Sequence, residues 1–152
     1  MPVDAERARG LRMPPITVPV ERGRLVFFAA ATGQTDPVYS DLDAARAAGH
    51  PDLPIPPTFF FGLELESPDP FGWLTELNVD LRRILHGEQG FTYHGLAHAG
   101  DVVTLRPRIT DVFTKKAGAL EFLVKRTEIT RTGTLIAEAT STIVVRNPEA
   151  GS

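Results

Sequence analysis

The chain contains no cysteine, which excludes disulfide staples and thiolate-bound metal and leaves no cue to redox compartment. It also lacks a basic stripe. Its 16 lysines and arginines are scattered among 19 acidic residues, for a net charge of -3, whereas a phosphate-backbone partner calls for clustered positive charge. Nucleic acid is therefore not an expected partner. The most apolar run, Leu25 to Gly33, falls far short of the roughly 20 residues that cross a bilayer, and the N-terminus has no apolar core of leader length. The default expectation is a cytoplasmic protein without membrane insertion. No internal repeat is present, which removes solenoid architectures.

What remains is a globular composition. A length of 152 residues suits one domain, and 42% hydrophobic content is too high for a disordered chain. The first 15 residues are charged and end in Met13-Pro14-Pro15, so residues 1–15 read as a flexible or extended lead-in, 16–147 as the domain and 148–152 as a tail. From Glu21 to Ala31, Leu25 and Phe28 share a helical face with Ala29 beside them, and Thr32-Gly33 stops the helix. A second short helix is expected over Asp41 to Ala48, with Ser40 as N-cap and Gly49 as terminator. Four prolines between His50 and Thr58 force an extended path. The stretch from Thr58 to Glu66, with Phe59, Phe60 and Phe61, is too apolar for solvent and reads as a central buried helix.

The rest reads as strands, roughly Gly87 to His94, Asp101 to Phe113, Ala119 to Thr130 and Thr134 to Arg146. Short linkers make hairpins of the last three, and Leu135, Ala137, Ala139, Ser141, Ile143 and Val145 alternate onto one face of the final strand. Helices first and hairpin-linked strands afterwards predict an α+β domain in which a curved antiparallel sheet wraps a buried helix.

Three segments carry a family resemblance. Phe28 to Tyr39, FAAATGQTDPVY, resembles the signature of (R)-specific enoyl-thioester hydratases, Gly-Asp-x-Asn-Pro-hydrophobic-His, matching at Gly33, Pro37 and Val38. Ala44 to Gly49 followed by Pro56-Pro57-Thr58-Phe59 is similar to the approach to the central helix in MaoC-like proteins. Leu85 to Asp101, ending in Gly100-Asp101, resembles the strand and Gly-Asp corner of the N-terminal, FAS1-like dehydratase type of MaoC domain. The resemblance implies a single hot-dog fold and an acyl-thioester ligand, with no cofactor or metal.

The departures carry as much meaning. In active family members the signature Asp and His activate a water that adds to the enoyl thioester. Here Gln34 replaces Asp, Asp36 replaces Asn and Tyr39 replaces His. A glutamine amide does not accept a proton, and tyrosine, with a pKa near ~10, is a poor base at neutrality. The family includes paired hot-dog units of which one carries the Asp and His while the other shelters the acyl chain, and this sequence resembles the second kind.

Several residues admit two readings. Asp36 and Tyr39, with Gln34, offer a remodelled acid–base site; equally, an Asp before Pro37 caps a short helix. Pro57, Thr58, Phe59, Phe60, Trp73 and Tyr93 offer an apolar acyl tunnel with backbone N–H at Thr58 aimed at a thioester carbonyl; equally, the aromatics are core and the Thr58 hydroxyl is a cap. His94 and His98 would share a strand face as a metal pair, with Asp101 or Glu88 as further ligands, but a bending strand end is a poor platform and no metal site is expected. His50 reads as a solvated loop residue, and Glu64 and Glu66 point apart.

The leading expectation is thus an accessory subunit binding an acyl-CoA or acyl-carrier-protein thioester, in a heterodimer with a catalytic MaoC-like subunit of a (3R)-hydroxyacyl dehydratase. The alternatives are a homodimeric hydratase working through Asp36 and Tyr39, and a non-enzymatic module for a small apolar ligand.

Overall fold

A computed structural model describes residues 2–151. Five strands, β1 (Ile16–Pro19), β2 (Ile84–Tyr93), β3 (Val102–Lys115), β4 (Leu120–Arg131) and β5 (Thr134–Arg146), form one antiparallel sheet in the order β1-β3-β4-β5-β2. The β4–β5 hairpin turns on Thr132 and Gly133, at φ 47° and 79°. Two successive left-handed residues are what a tight two-residue hairpin needs to follow the twist of its strands.

Against one sheet face lies the short helix α4 (Phe59–Glu64), with Phe59, Phe60 and Leu63 buried among Val103, Leu105, Ile129 and Ala137. The expected α+β hot-dog arrangement, a sheet wrapped on an aromatic helix, is the one found. The helix is three residues shorter than the Thr58 to Glu66 stretch, because Thr58 is its N-cap and the chain leaves it at Leu65, before Pro68.

Around this unit pack α2 (Arg22–Ala31), α3 (Leu42–Ala47) and α5 (Gly72–Glu76). Leu25 and Ala29 are the buried residues of α2, and Phe28 meets Phe59 edge-on with ring centroids 5.3 Å apart. The cap of α3 is Asp41 rather than Ser40: its Oδ1 accepts from the backbone N–H of Asp43 and Ala44 at 2.9 and 3.3 Å. A carboxylate outcompetes a hydroxyl at the positive end of a helix, and Ser40 closes the preceding 3-10 turn instead.

Residues 2–15 are not a loose lead-in. Asp4 caps a helix, α1 (Ala5–Arg9), whose Ala8 is fully buried, while Leu11 and Met13 pack with Trp73, Leu74, Ile109 and Leu123 in a second core cluster. Within α1 itself the buried residue is one small alanine, which is why charge content conceals the helix.

The alternation on β5 also needs correction. Between the pairs Ile129↔Ala137 and Thr130↔Leu135 a bulge leaves Ile136 unpaired. Ile136 then enters the core at 2% exposure, and Leu135 is left exposed. The carbonyl of Ile136 accepts from the backbone N–H of both His94 and Gly95, at 2.8 and 3.0 Å, so the extra residue also anchors the end of β2.

A second bulge, between His86 and Glu88, holds Gly87 against β5. A Cβ there would lie 2.8 Å from Cγ2 of buried Val144. Gly87→Ala is expected to cost about 1–3 kcal/mol of stability through overpacking, measured as the urea midpoint. Gly90→Ala is the control, since its Cβ would meet nothing nearer than the Thr140 carbonyl at 4.0 Å.

Candidate functional site

The signature loop starts where α2 runs out. Gly33, at φ 72°, turns the chain, and the backbone N–H of Gln34 returns to the carbonyl of Ala29 at 2.8 Å. Gln34 Oε1 then accepts from the N–H of Asp36, and Asp36 Oδ1 accepts from the N–H of Val38, both at 3.1 Å. Asp36 is thereby the N-cap of the 3-10 turn Pro37–Tyr39. Gln34 and Asp36 are exposed and Tyr39 is half-buried. Tyr39 is tied to Asp36 through the backbone, its N–H donating to the Asp36 carbonyl at 3.2 Å, but among the described residues no side-chain hydrogen bond joins Tyr39 to Gln34 or Asp36. The loop thus gathers the three family positions but gives Asp36 a capping bond rather than an orienting partner for proton transfer.

Thr58 and Tyr93, far apart in sequence, do meet. Thr58 has a left-handed backbone, φ 74°, and its N–H donates to Tyr93 Oη at 3.0 Å. The tyrosine ring, 47% exposed, stacks on Phe91 with centroids 5.9 Å apart. The Thr58 N–H expected for a thioester carbonyl is therefore already engaged in this chain, and the Thr58 hydroxyl makes no cap. Pro57 beside it is exposed.

The aromatic residues do not share one tunnel. Phe59 lines a cleft of about 260 Å³ between α2 and α4, together with Phe27, Phe28 and Gly62. Phe27 stands 76% exposed there, an unusual position for so large an apolar side chain. Phe60 is buried core. Trp73 lines a separate pocket of about 350 Å³ on the side of α5.

The histidines are also arranged differently from their spacing. His94 Nε2 lies 3.0 Å from Glu138 Oε2, and His86 Nε2 lies 3.1 Å from Gln89 Oε1. His98 turns instead to His50, Nε2 to Nδ1 at 3.0 Å. His50 is thus a half-buried partner and not a solvated loop residue. Burial above all, then His50 and Arg131, push the His98 pKa down against the opposing pull of Asp101 and Asp52. Among the described residues no cluster of three or more His, Cys, Asp or Glu side chains could hold a metal ion.

Two ion pairs flank the histidines. Asp101 Oδ2 accepts from Arg131 Nη1 and from the N–H of His98, each at 2.9 Å, which fixes the Gly-Asp corner. Arg22 grips Asp52 through two bonds, Nε to Oδ1 at 3.0 Å and Nη2 to Oδ2 at 2.6 Å. That bidentate hydrogen bonding, with help from the Leu53 N–H and against the effect of burial, holds the Asp52 carboxyl down at about 2. Because the folded-state value is depressed, the pair's contribution to stability is present above the ordinary carboxylate range and fades as pH falls through about 2. In Arg22→Ala, a carboxyl-carbon NMR titration is expected to return Asp52 towards its ordinary 3.8.

Glu64 and Glu66 part as their spacing implies. Glu66 pairs with Arg24, and Glu64 turns under the sheet to Thr127 and Lys125. No local sequence signal marks the His50–His98 or Glu64–Thr127 contacts, since the partners lie 48 and 63 residues apart.

Residues 7–139 match the family model described as the FAS1-like dehydratase domain region. A UPF0336 protein of Clavibacter michiganensis subsp. michiganensis (strain NCPPB 382) is 36% identical over 152 residues, covering 99% of this chain and 100% of that protein. A UPF0336 protein of Parafrankia sp. (strain EAN1pec) is 38% identical over 137 residues, 85% of this chain and 86% of that one. Among solved structures, a chain of the truncated HadBC (3R-hydroxyacyl-ACP dehydratase) complex of Mycobacterium tuberculosis superposes with TM-score 0.77 at 27% identity, covering 90% of this chain and 96% of that chain. A chain of the ChsH1-ChsH2 complex of the same organism gives TM-score 0.75 at 26% identity, over 95% of this chain and 93% of that one. No helix among the described residues is long and apolar enough to cross a membrane.

Proposed function

Because the chain belongs to the FAS1-like dehydratase domain family, we propose that it is the acyl-holding, non-catalytic subunit of a two-component MaoC-like (3R)-hydroxyacyl dehydratase. The observation that carries this reading is the signature loop. Gln34 and Tyr39 stand where the reaction needs Asp and His, and the remaining carboxylate, Asp36, caps a turn. Similarity to chains from the HadBC and ChsH1-ChsH2 complexes supports a second, different hot-dog subunit as the partner.

The division of labour follows from chemistry. Hydration of an enoyl thioester, or its reverse, needs a base and an acid held near the double bond. The partner supplies these, and this chain supplies apolar walls that keep the acyl group from water. Its cleft between α2 and α4 is suited to that, with Phe27, Phe28 and Phe59 as walls and Arg24 beside the Phe59 ring. The thioester is carried by CoA or an acyl carrier protein. Strand β2 ends the sheet over ten residues, and such an open edge is a template for another strand, so the partner's sheet is placed there. A cytoplasmic location goes with these substrates.

Co-expression with a MaoC-like subunit that carries Gly-Asp-x-Asn-Pro-x-His, followed by native mass spectrometry, tests the pairing. The expected species is a one-to-one heterodimer. A stable homodimer that ignores the catalytic subunit would favour the self-sufficient reading through Asp36 and Tyr39.

A further inference from the structure

We propose that the pocket between the N-terminal segment, α5 and the sheet binds an uncharged amphiphile that donates a hydrogen bond to Glu64. The pocket encloses about 350 Å³, within the range of small-ligand sites. It is lined by no residue of the signature loop or of the α2–α4 cleft, so it stands apart from the site proposed above. Met13 of the N-terminal segment, Trp73 of α5 and Leu105 and Pro107 of β3 give it apolar walls.

Glu64 is the unusual part of the lining. Its side chain is only 6% exposed, yet both of its contacts fall on one oxygen: Oε1 accepts from the Thr127 hydroxyl and lies 3.6 Å from Lys125 Nζ. Oε2 has no hydrogen-bond partner among the described residues. It is not sealed off either, because among the described residues the fully buried side-chain polar atom without a partner is Arg126 Nε. Oε2 therefore opens onto accessible space, and the cavity that Glu64 lines is this pocket. A carboxylate oxygen at the edge of an apolar cavity calls for a donor, and bonds to charged acceptors are the strong ones.

Charge balance narrows the ligand further. Of the charged lining residues Arg12, Asp69 and Glu76 are exposed at the rim, whereas inside it Lys125, 16% exposed and with Nζ 5.9 Å over the Trp73 ring, matches the charge of Glu64. A cationic ligand would be brought against that ammonium, and an anionic one against the carboxylate. What fits is an apolar body bearing a hydroxyl or an amide N–H. The N-terminal segment makes one wall, so the ordering of Leu11 to Pro14 against the domain is part of building the site.

The single tryptophan of the chain is Trp73, which makes intrinsic fluorescence a direct reporter of this pocket. The full-length protein is titrated with 1-octanol and, separately, with octanoate, which have the same chain length but differ in charge and in hydrogen-bond donation at neutral pH. The expected result is a saturable change in Trp73 emission with octanol at an affinity at least tenfold above that of octanoate. In Glu64→Gln, which preserves volume and the Thr127 contact, that ratio is expected to fall below about threefold. Absence of a saturable change with octanol up to its solubility limit would overturn the proposal. So would equal affinities in the unaltered protein, a comparison that stands whether or not Glu64→Gln folds, or an unchanged ratio in a folded Glu64→Gln.

Discussion

Leu63→Ala is expected to lower the unfolding free energy by about 3–5 kcal/mol and the melting temperature by roughly 10 °C. Leu63 is fully buried on α4, at the centre of the contact between helix and sheet, in the same cluster as Leu105, Ile129 and Ala137. Truncation removes apolar area and leaves a void, because the sheet residues around it are fixed by the ladder and cannot follow the missing atoms. Against a net stability of order 5–15 kcal/mol for a domain, one such change takes a large share. Urea denaturation with an unchanged slope measures it, and a loss below about 1 kcal/mol would mean that α4 is not the keystone of the core.

Glu121→Ala is the second large effect, expected at about 2–3 kcal/mol. Glu121 is 2% exposed, and its two oxygens tie both ends of the chain to β4. Oε1 accepts from the backbone N–H of Val3, and Oε2 accepts from Asn147 Nδ2, each at 2.7 Å. Removing the carboxylate orphans the Val3 N–H and one of the two Asn147 Nδ2 hydrogens, the other keeping the Gly118 carbonyl at 3.2 Å, and such orphaned groups cost more than the bond itself is worth. Hydrogen exchange should then show loss of protection around α1 before the hairpin of β4 and β5 is affected. Glu121→Gln is expected to recover only part, since its amide NH2 would face a donor.

What could be read from the sequence follows from how locally each feature is encoded. The β4–β5 hairpin was legible because alternation and the Thr132-Gly133 turn sit within one short stretch. The central helix was legible because three successive phenylalanines cannot all be left in solvent, and Phe59 and Phe60 are buried while Phe61 stays 37% exposed. By contrast α1 depends on one small residue, Ala8, reaching β3 across the domain, and the bulge at Ile136 depends on register between two strands. The family departures at Gln34, Asp36 and Tyr39 were visible as letters, but that Asp36 spends its carboxylate on the N–H of Val38 is a matter of loop geometry. Likewise Trp73 and Phe59 both read as candidates for one apolar tunnel, and only the placement of α5 separates them into two cavities. The His50–His98 contact joins two loops through chain folding alone, so spacing offered only a shared strand face for His94 and His98 and left His50 as a solvated residue.

The non-catalytic assignment is tested most directly by turnover. The purified chain alone is mixed with crotonyl-CoA and the conjugated enoyl-thioester absorbance is followed, then a catalytic MaoC-like subunit is added. The predicted result is no loss of absorbance above the uncatalysed rate with the chain alone, and hydration once the pair has formed. Hydration by the chain alone, abolished in Asp36→Asn, which keeps the cap but removes the carboxylate, would contradict it.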